Sequence, residues 1–151
     1  MVSDPYKNIE LETLLLGRHL SPIYRDELGR QKLDRSAYTL LTRLQLQGPM
    51  SIGQLSEAFG LDASTLNRQT AAMLRDGLVE RIPDPEGGVA RKFLVTRAGK
   101  DRLAGDRRAN IRGLRKVLSD WTDEDVEQLA ELLGRFNADI ESRDGRPWPR
   151  A

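Results

Sequence analysis

Met50 to Glu80, MSIGQLSEAFGLDASTLNRQTAAMLRDGLVE, carries two short helix signatures back to back, with a sharp turn between them at Phe59-Gly60-Leu61. Ser51 is placed to cap the first helix with Gln54 reaching back to it, and Met50 and Leu55 flank the cap at the spacing of a hydrophobic staple. Asp62 repeats the arrangement for the second helix, with Leu61 and Leu66 as the staple. Ile52, Leu55, Ala58 and Phe59 give the first helix one buried stripe; Leu66, Met73 and Leu74 give the second another. Gly77 then ends it, as a residue that takes the left-handed conformation past a helix terminus should.

The core leaves one face of the second helix unclaimed. Ser64, Thr65, Asn67, Arg68 and Gln69 crowd its first turns, and these are hydrogen-bonding side chains of the sizes that reach base edges and phosphates. A helix-turn-helix puts the N-terminal part of its second helix into the major groove, so polar residues belong at that end. An ordinary solvated helical hairpin would show the same polarity, so the flanking chain has to decide.

Downstream, Leu78-Val79-Glu80-Arg81-Ile82 alternates like a strand, Pro83 to Gly88 is dense turn chemistry, and Lys92 to Thr96 fits the returning strand. A hairpin directly after the second helix is a wing, and Arg91 and Lys92 near its Gly-rich tip are placed for phosphates or the minor groove. Upstream, Asp34 caps a helix with Ala37, Leu40, Leu41 and Leu44 inside, closed by Gly48-Pro49. Before it, Gly29 to Lys32 reads as a turn. Asp4-Pro5 opens a long first helix with Ile9, Leu16, Leu20 and Ile23 at helical spacing, and Pro22 predicts a kink or break. Leu14 to Leu16 adds apolar surface beyond a single core contact, as a subunit interface would need.

At the other end, Thr96 caps a long, densely charged helix reaching to about Asp120, with Leu103, Ile111, Leu114 and Leu118 as sparse apolar positions. Thr122 and Asp125 signal a last helix striped by Val126, Leu129, Leu133, Phe136 and Ile140. The residues after about Ser142, ending Arg-Pro-Trp-Pro-Arg, have no helical pattern and read as a loose tail, with Trp148 available to a partner subunit.

The segment from Asp34 to Gly99 resembles the winged helix-turn-helix of the MarR family of transcriptional regulators. Leu66-Asn67-Arg68, Gly77-Leu78-Val79-Glu80-Arg81, Asp84-Pro85 and Leu94-Val95-Thr96-Arg97-Ala98-Gly99 carry the resemblance. One departure is visible: the family's wing usually carries an Asp-Arg-Arg tip, whereas Gly87-Gly88-Val89 stands here and the basic pair comes later, at Arg91-Lys92. The resemblance implies a mostly α fold with a small β-hairpin wing (α+β), a DNA-binding lobe over 34–99, dimerisation helices over 5–30 and 100–141, and a tail over 142–151. It also implies release from DNA by a small ligand, often an aromatic acid, bound between the dimer helices and the lobe, where His19, Tyr24 and Tyr38 are the candidates.

Composition bounds the alternatives. The 151 residues suit a single domain, and a formal net charge of +1, from 24 Lys and Arg against 23 Asp and Glu, leaves any basic surface to local placement. The absence of Cys removes a thiolate nucleophile and a thiol sensor, and a single His argues against a zinc site. With no phosphate loop either, the expectation is no enzyme and no cofactor. The start lacks a signal peptide and no stretch reaches membrane-spanning length, so a cytoplasmic protein without membrane contact is expected. The leading expectation is a homodimer that binds double-stranded DNA at a near-palindromic operator, as a repressor released by a ligand. The alternative is a winged helix that binds protein instead, which lacks the steep salt dependence of phosphate contacts.

Overall fold

A computed structural model of the chain describes residues 4–23 and 32–151, with the side chains of 21–23 left aside. The elements in order are α1 (Pro5–Ile23), α2 (Arg35–Gln47), α3 (Ile52–Phe59), α4 (Ala63–Arg75), β1 (Val79–Ile82), β2 (Lys92–Val95), α5 (Arg97–Val117) and α6 (Asp123–Asp144). Two compact units result: residues 1–32 with 106–120, and residues 33–105 with 121–151.

The second unit holds the apolar core. Leu40, Leu41 and Leu44 of α2 meet Leu55 of α3, Leu66 and Met73 of α4, and Val79, Phe93 and Val95 of the hairpin, with Leu103 of α5 completing the cluster. The strands are antiparallel, with Val79 opposite Val95 and Ile82 opposite Lys92. Met50 extends this sheet by one bridge, its carbonyl accepting the Phe93 N–H at 2.8 Å, so the residue before α3 is held by the wing as well as by the core. Thr70 is the buried hydroxyl of the cluster, and it donates to the Leu66 carbonyl at 2.8 Å, which removes the cost of an unpaired polar group.

Local chemistry sets the element ends. The Asp34 carboxylate accepts the Ala37 N–H at 2.8 Å, and Ser51 and Gln54 form the reciprocal capping box. Gly77, at φ 71°, ends α4 in the paired pattern in which its own N–H reaches Leu74 and that of Leu78 reaches Met73. The Thr96 hydroxyl accepts the Gly99 N–H at 3.0 Å and donates to the Gly77 carbonyl at 2.6 Å, so one side chain caps α5 and ties it to the end of α4. Gly99 lies so close to the Leu78 carbonyl that a Cβ there would collide with it.

Several expectations change. Asp62 takes the extended backbone of a cap, but its side chain accepts no α4 amide; its backbone carbonyl accepts the Thr65 and Leu66 N–H groups instead. Leu61 is exposed, so the second staple is not closed, although Leu66 is buried. The last helix runs past Ser142 to Asp144 and ends at Gly145 in the left-handed region. The tail expected to be loose folds back on its own chain, where Trp148 meets Phe59 edge to face at 5.5 Å, because an aromatic ring and three arginines find partners there. Pro22 falls at the second-last residue of α1, and the turn expected over residues 29–32 lies, up to residue 31, outside the described residues.

The first unit comprises α1 and the second half of α5, and Lys32 donates to Asn110 at 2.8 Å there. Tyr6, Ile9, Leu11, Leu14 and Leu16 of α1 are exposed, as are Ile111 and Val117 of α5. In the second unit α6 buries no residue in the single chain, and Leu132, Leu133, Phe136 and Ile140 are open.

Candidate nucleic-acid interface

The capping box and the wing bridge both fix the start of α3, and at its other end the left-handed Gly60, φ 62°, lets the chain turn sharply into α4. Leu66, Thr70 and Met73 point α4 into the core, which leaves its other side outward. Ser64, Asn67 and Arg68 are exposed on that side, and Thr65 and Gln69 are half-buried at its margins. The Arg68 guanidinium approaches the Thr65 hydroxyl at 3.5 Å, and the Ser64 hydroxyl approaches the Asp62 carboxylate at 3.4 Å. These five residues therefore share one end of one helix, with donors and acceptors that reach outward and no apolar cover. Arg75, which the sequence reading passed over, is exposed seven residues after Arg68 and so returns to the same face two turns on. Its period of seven was the available signal.

The wing separates its two cations. Arg91 is exposed. Lys92, by contrast, has a side chain only 12% exposed, and its ammonium lies 3.3 Å from the Asp84 carboxylate. That carboxylate also accepts the Glu86 N–H at 2.9 Å. The Glu86 amide first, and then Lys92, hold the Asp84 carboxyl below its ordinary range. A Cβ on Gly88 would run into the same carboxylate, which accounts for the glycine where the tip turns back. Val89 beside it is fully exposed. Lys92 thus staples the tip to the strand, and Arg91 is the cation of the pair that faces outward.

The residues considered for a ligand fall on separate elements. His19 is exposed on α1; Tyr38 is half-buried on α2 against the core; Tyr24 lies outside the described residues. Among the described residues no group of His, Cys, Asp and Glu is arranged for a metal ion, and no helix is long and apolar enough to cross a membrane.

A buried helical pair with a polar outward face on its second helix, followed at once by a two-stranded hairpin, defines a winged helix-turn-helix. Comparison with known proteins narrows the class. The MarR family model matches residues 33–87. YxaD of Bacillus subtilis, an uncharacterized HTH-type transcriptional regulator, is 34% identical over 134 residues, spanning 89% of this chain and 94% of its own. The protein belongs to the MarR family of HTH transcriptional regulators, which are not enzymes. The fold agrees: a MarR family protein from Bacillus stearothermophilus superposes with a TM-score of 0.76 at 23% identity, over 92% of this chain and 99% of that one. The organohalide-sensing regulator RdhR in its 2,4-dichlorophenol-bound form gives 0.67 at 14% identity, over 89% and 80%.

Proposed function

We propose that the protein is a homodimeric repressor that reads a near-palindromic operator in double-stranded DNA. Ser64, Thr65, Asn67, Arg68 and Gln69 of each subunit enter one of two successive major grooves, and Arg91 of each wing lies against the flanking backbone. The observation that carries this reading is the division of the exposed surface. The large exposed side chains at the outward end of α4, Asn67 and Arg68 with Ser64 beside them, are polar, whereas α6 buries nothing and leaves Leu132, Leu133, Phe136 and Ile140 open along about 12 Å of helix. One surface suits phosphates and base edges; the other suits a second copy of the chain. Residues 5–30 and 100–141 accordingly serve assembly, and 34–99 serve DNA.

Release by a small aromatic ligand completes the reading. Its support is membership of a family whose structural neighbour RdhR holds a dichlorophenol, and the aromatic and imidazole side chains of Tyr38, Tyr24 and His19 are the candidates to receive one.

The test is the salt dependence of DNA binding. Neutralising several phosphates per dimer makes log K fall steeply and linearly with log salt, by about 0.9 per phosphate contacted. A slope of several units with operator preferred over random DNA is expected. A winged helix that serves only protein partners would show a slope near zero.

A further inference from the structure

The chain ends on a set of contacts that DNA reading does not by itself require. At the end of α6, the Glu141 carboxylate accepts from both terminal guanidinium nitrogens of Arg150, at 2.6 and 2.8 Å, and from the backbone N–H of Trp148 at 3.0 Å. The Arg150 and Trp148 donors draw its carboxyl down to about 2. The Trp148 ring, half-buried, then lies edge-on to Phe59, the last residue of α3, and under the guanidinium of Arg43 at 4.9 Å. Arg43 is itself buried in α2, held by Gln47 at 2.8 Å, and it donates to the Pro147 carbonyl at 3.3 Å. Arg146 donates to the Glu57 carbonyl at 3.3 Å and packs over Gly60 so tightly that a Cβ at that glycine would lie 2.9 Å from its guanidinium carbon.

Three elements are thereby pinned at one place: α2 through Arg43, the turn of the helix-turn-helix through Phe59 and Gly60, and the end of α6 through Glu141. The turn is the critical one. Gly60 is the left-handed residue on which the direction of α4 depends, and α6 has no buried residue of its own to anchor it to the lobe. A flexible polar tail does not by default make a bidentate ion pair to α6, place its ring under a cation of α2 and set the same ring edge-on to the last residue of α3.

We propose that residues 146–150 are a strap that fixes the stance of the helix-turn-helix against the end of α6, with Trp148 and Arg146 as positioning residues for DNA reading. The proposal rests on the homodimeric, operator-reading function above, because α6 carries the surface through which two copies meet. In such a dimer the strap passes the geometry of the subunit contact to α4, and so sets how strictly the distance between half-sites is read.

The experiment uses the full-length protein, Trp148→Ala, Arg146→Ala and Trp148→Phe. Each is measured by light scattering, by operator affinity on half-site spacings altered by one or two base pairs, and by amide exchange over residues 60–66 without DNA. Trp148→Ala and Arg146→Ala should keep the mass of the native protein, lose about three- to tenfold in operator affinity, tolerate altered spacings, and exchange faster over the turn. Trp148→Phe, which keeps the ring contact, should restore most of the affinity. Native spacing preference in Trp148→Ala, or unchanged exchange, overturns the strap. So does an affinity loss that merely follows loss of the dimer. A native protein that is monomeric or prefers no sequence removes the operator-reading homodimer instead, and the exchange measurement still decides the strap.

Discussion

Phe136→Ala is expected to weaken self-association by about three orders of magnitude while leaving the fold in place. Phe136 lies outside the core cluster and is 45% exposed in the single chain. A phenylalanine side chain offers about 200 Å², so about 90 Å² remains for a partner to cover. At about 25 cal/mol per Å² this is worth about 2 kcal/mol. A two-fold interface uses each residue twice, so the dimer loses about 4 kcal/mol, or about a thousandfold in dissociation constant. The assay is sedimentation equilibrium across a concentration series, with circular dichroism to confirm helix content and Gln128→Ala, exposed on the same helix, as the control. A dissociation constant within threefold of the native one would refute the assignment of the α6 stripe to subunit contact.

Arg68→Ala should cost about 1 to 3 kcal/mol of operator affinity and leave the melting temperature unchanged, since the side chain is exposed; unaltered binding by the folded variant would remove Arg68 from the interface. Gly99→Ala should destabilise by about 1 to 3 kcal/mol in denaturant, because the new methyl meets the Leu78 carbonyl and lies 2.9 Å from Val95 Cγ1; native stability would contradict that close approach. The Glu141 carboxyl is held at about 2, below its ordinary 4.5, so its contribution is complete above 4.5 and fades as pH falls from there toward 2. In a Trp121→Phe background, Trp148 fluorescence should report that acid step, and Glu141→Gln should abolish it; an identical step in Glu141→Gln would assign it to another group.

The legible parts of the fold were those whose cause is local. Ser51 with Gln54, Asp34, Thr122 and Gly77 act within four residues of themselves, so their roles could be read from spacing, and the two wing strands from the branched residues on either side of the turn at Pro83 to Gly88. Contacts between distant segments were not legible. Nothing in the order of residues announces that Gly99 must clear the Leu78 carbonyl, that Lys92 is held by Asp84 across the tip, or that Trp148 will find Arg43 and Phe59. The outward face of α4 was visible because a helix with one apolar side has only one other side to offer. Arg75 lies beyond the polar cluster of the first two turns, and only its seven-residue spacing from Arg68 marks it as sharing that face.

The central claim is that two copies of the chain read one DNA site. Duplexes with a randomised core, selected on the full-length protein and sequenced, should converge on an inverted repeat whose half-sites are centred about one helical turn apart. The mass of the selected complex should be that of two chains on one duplex. Recovery of duplexes with no shared sequence, or of a single unrepeated site bound by one chain, would contradict the account.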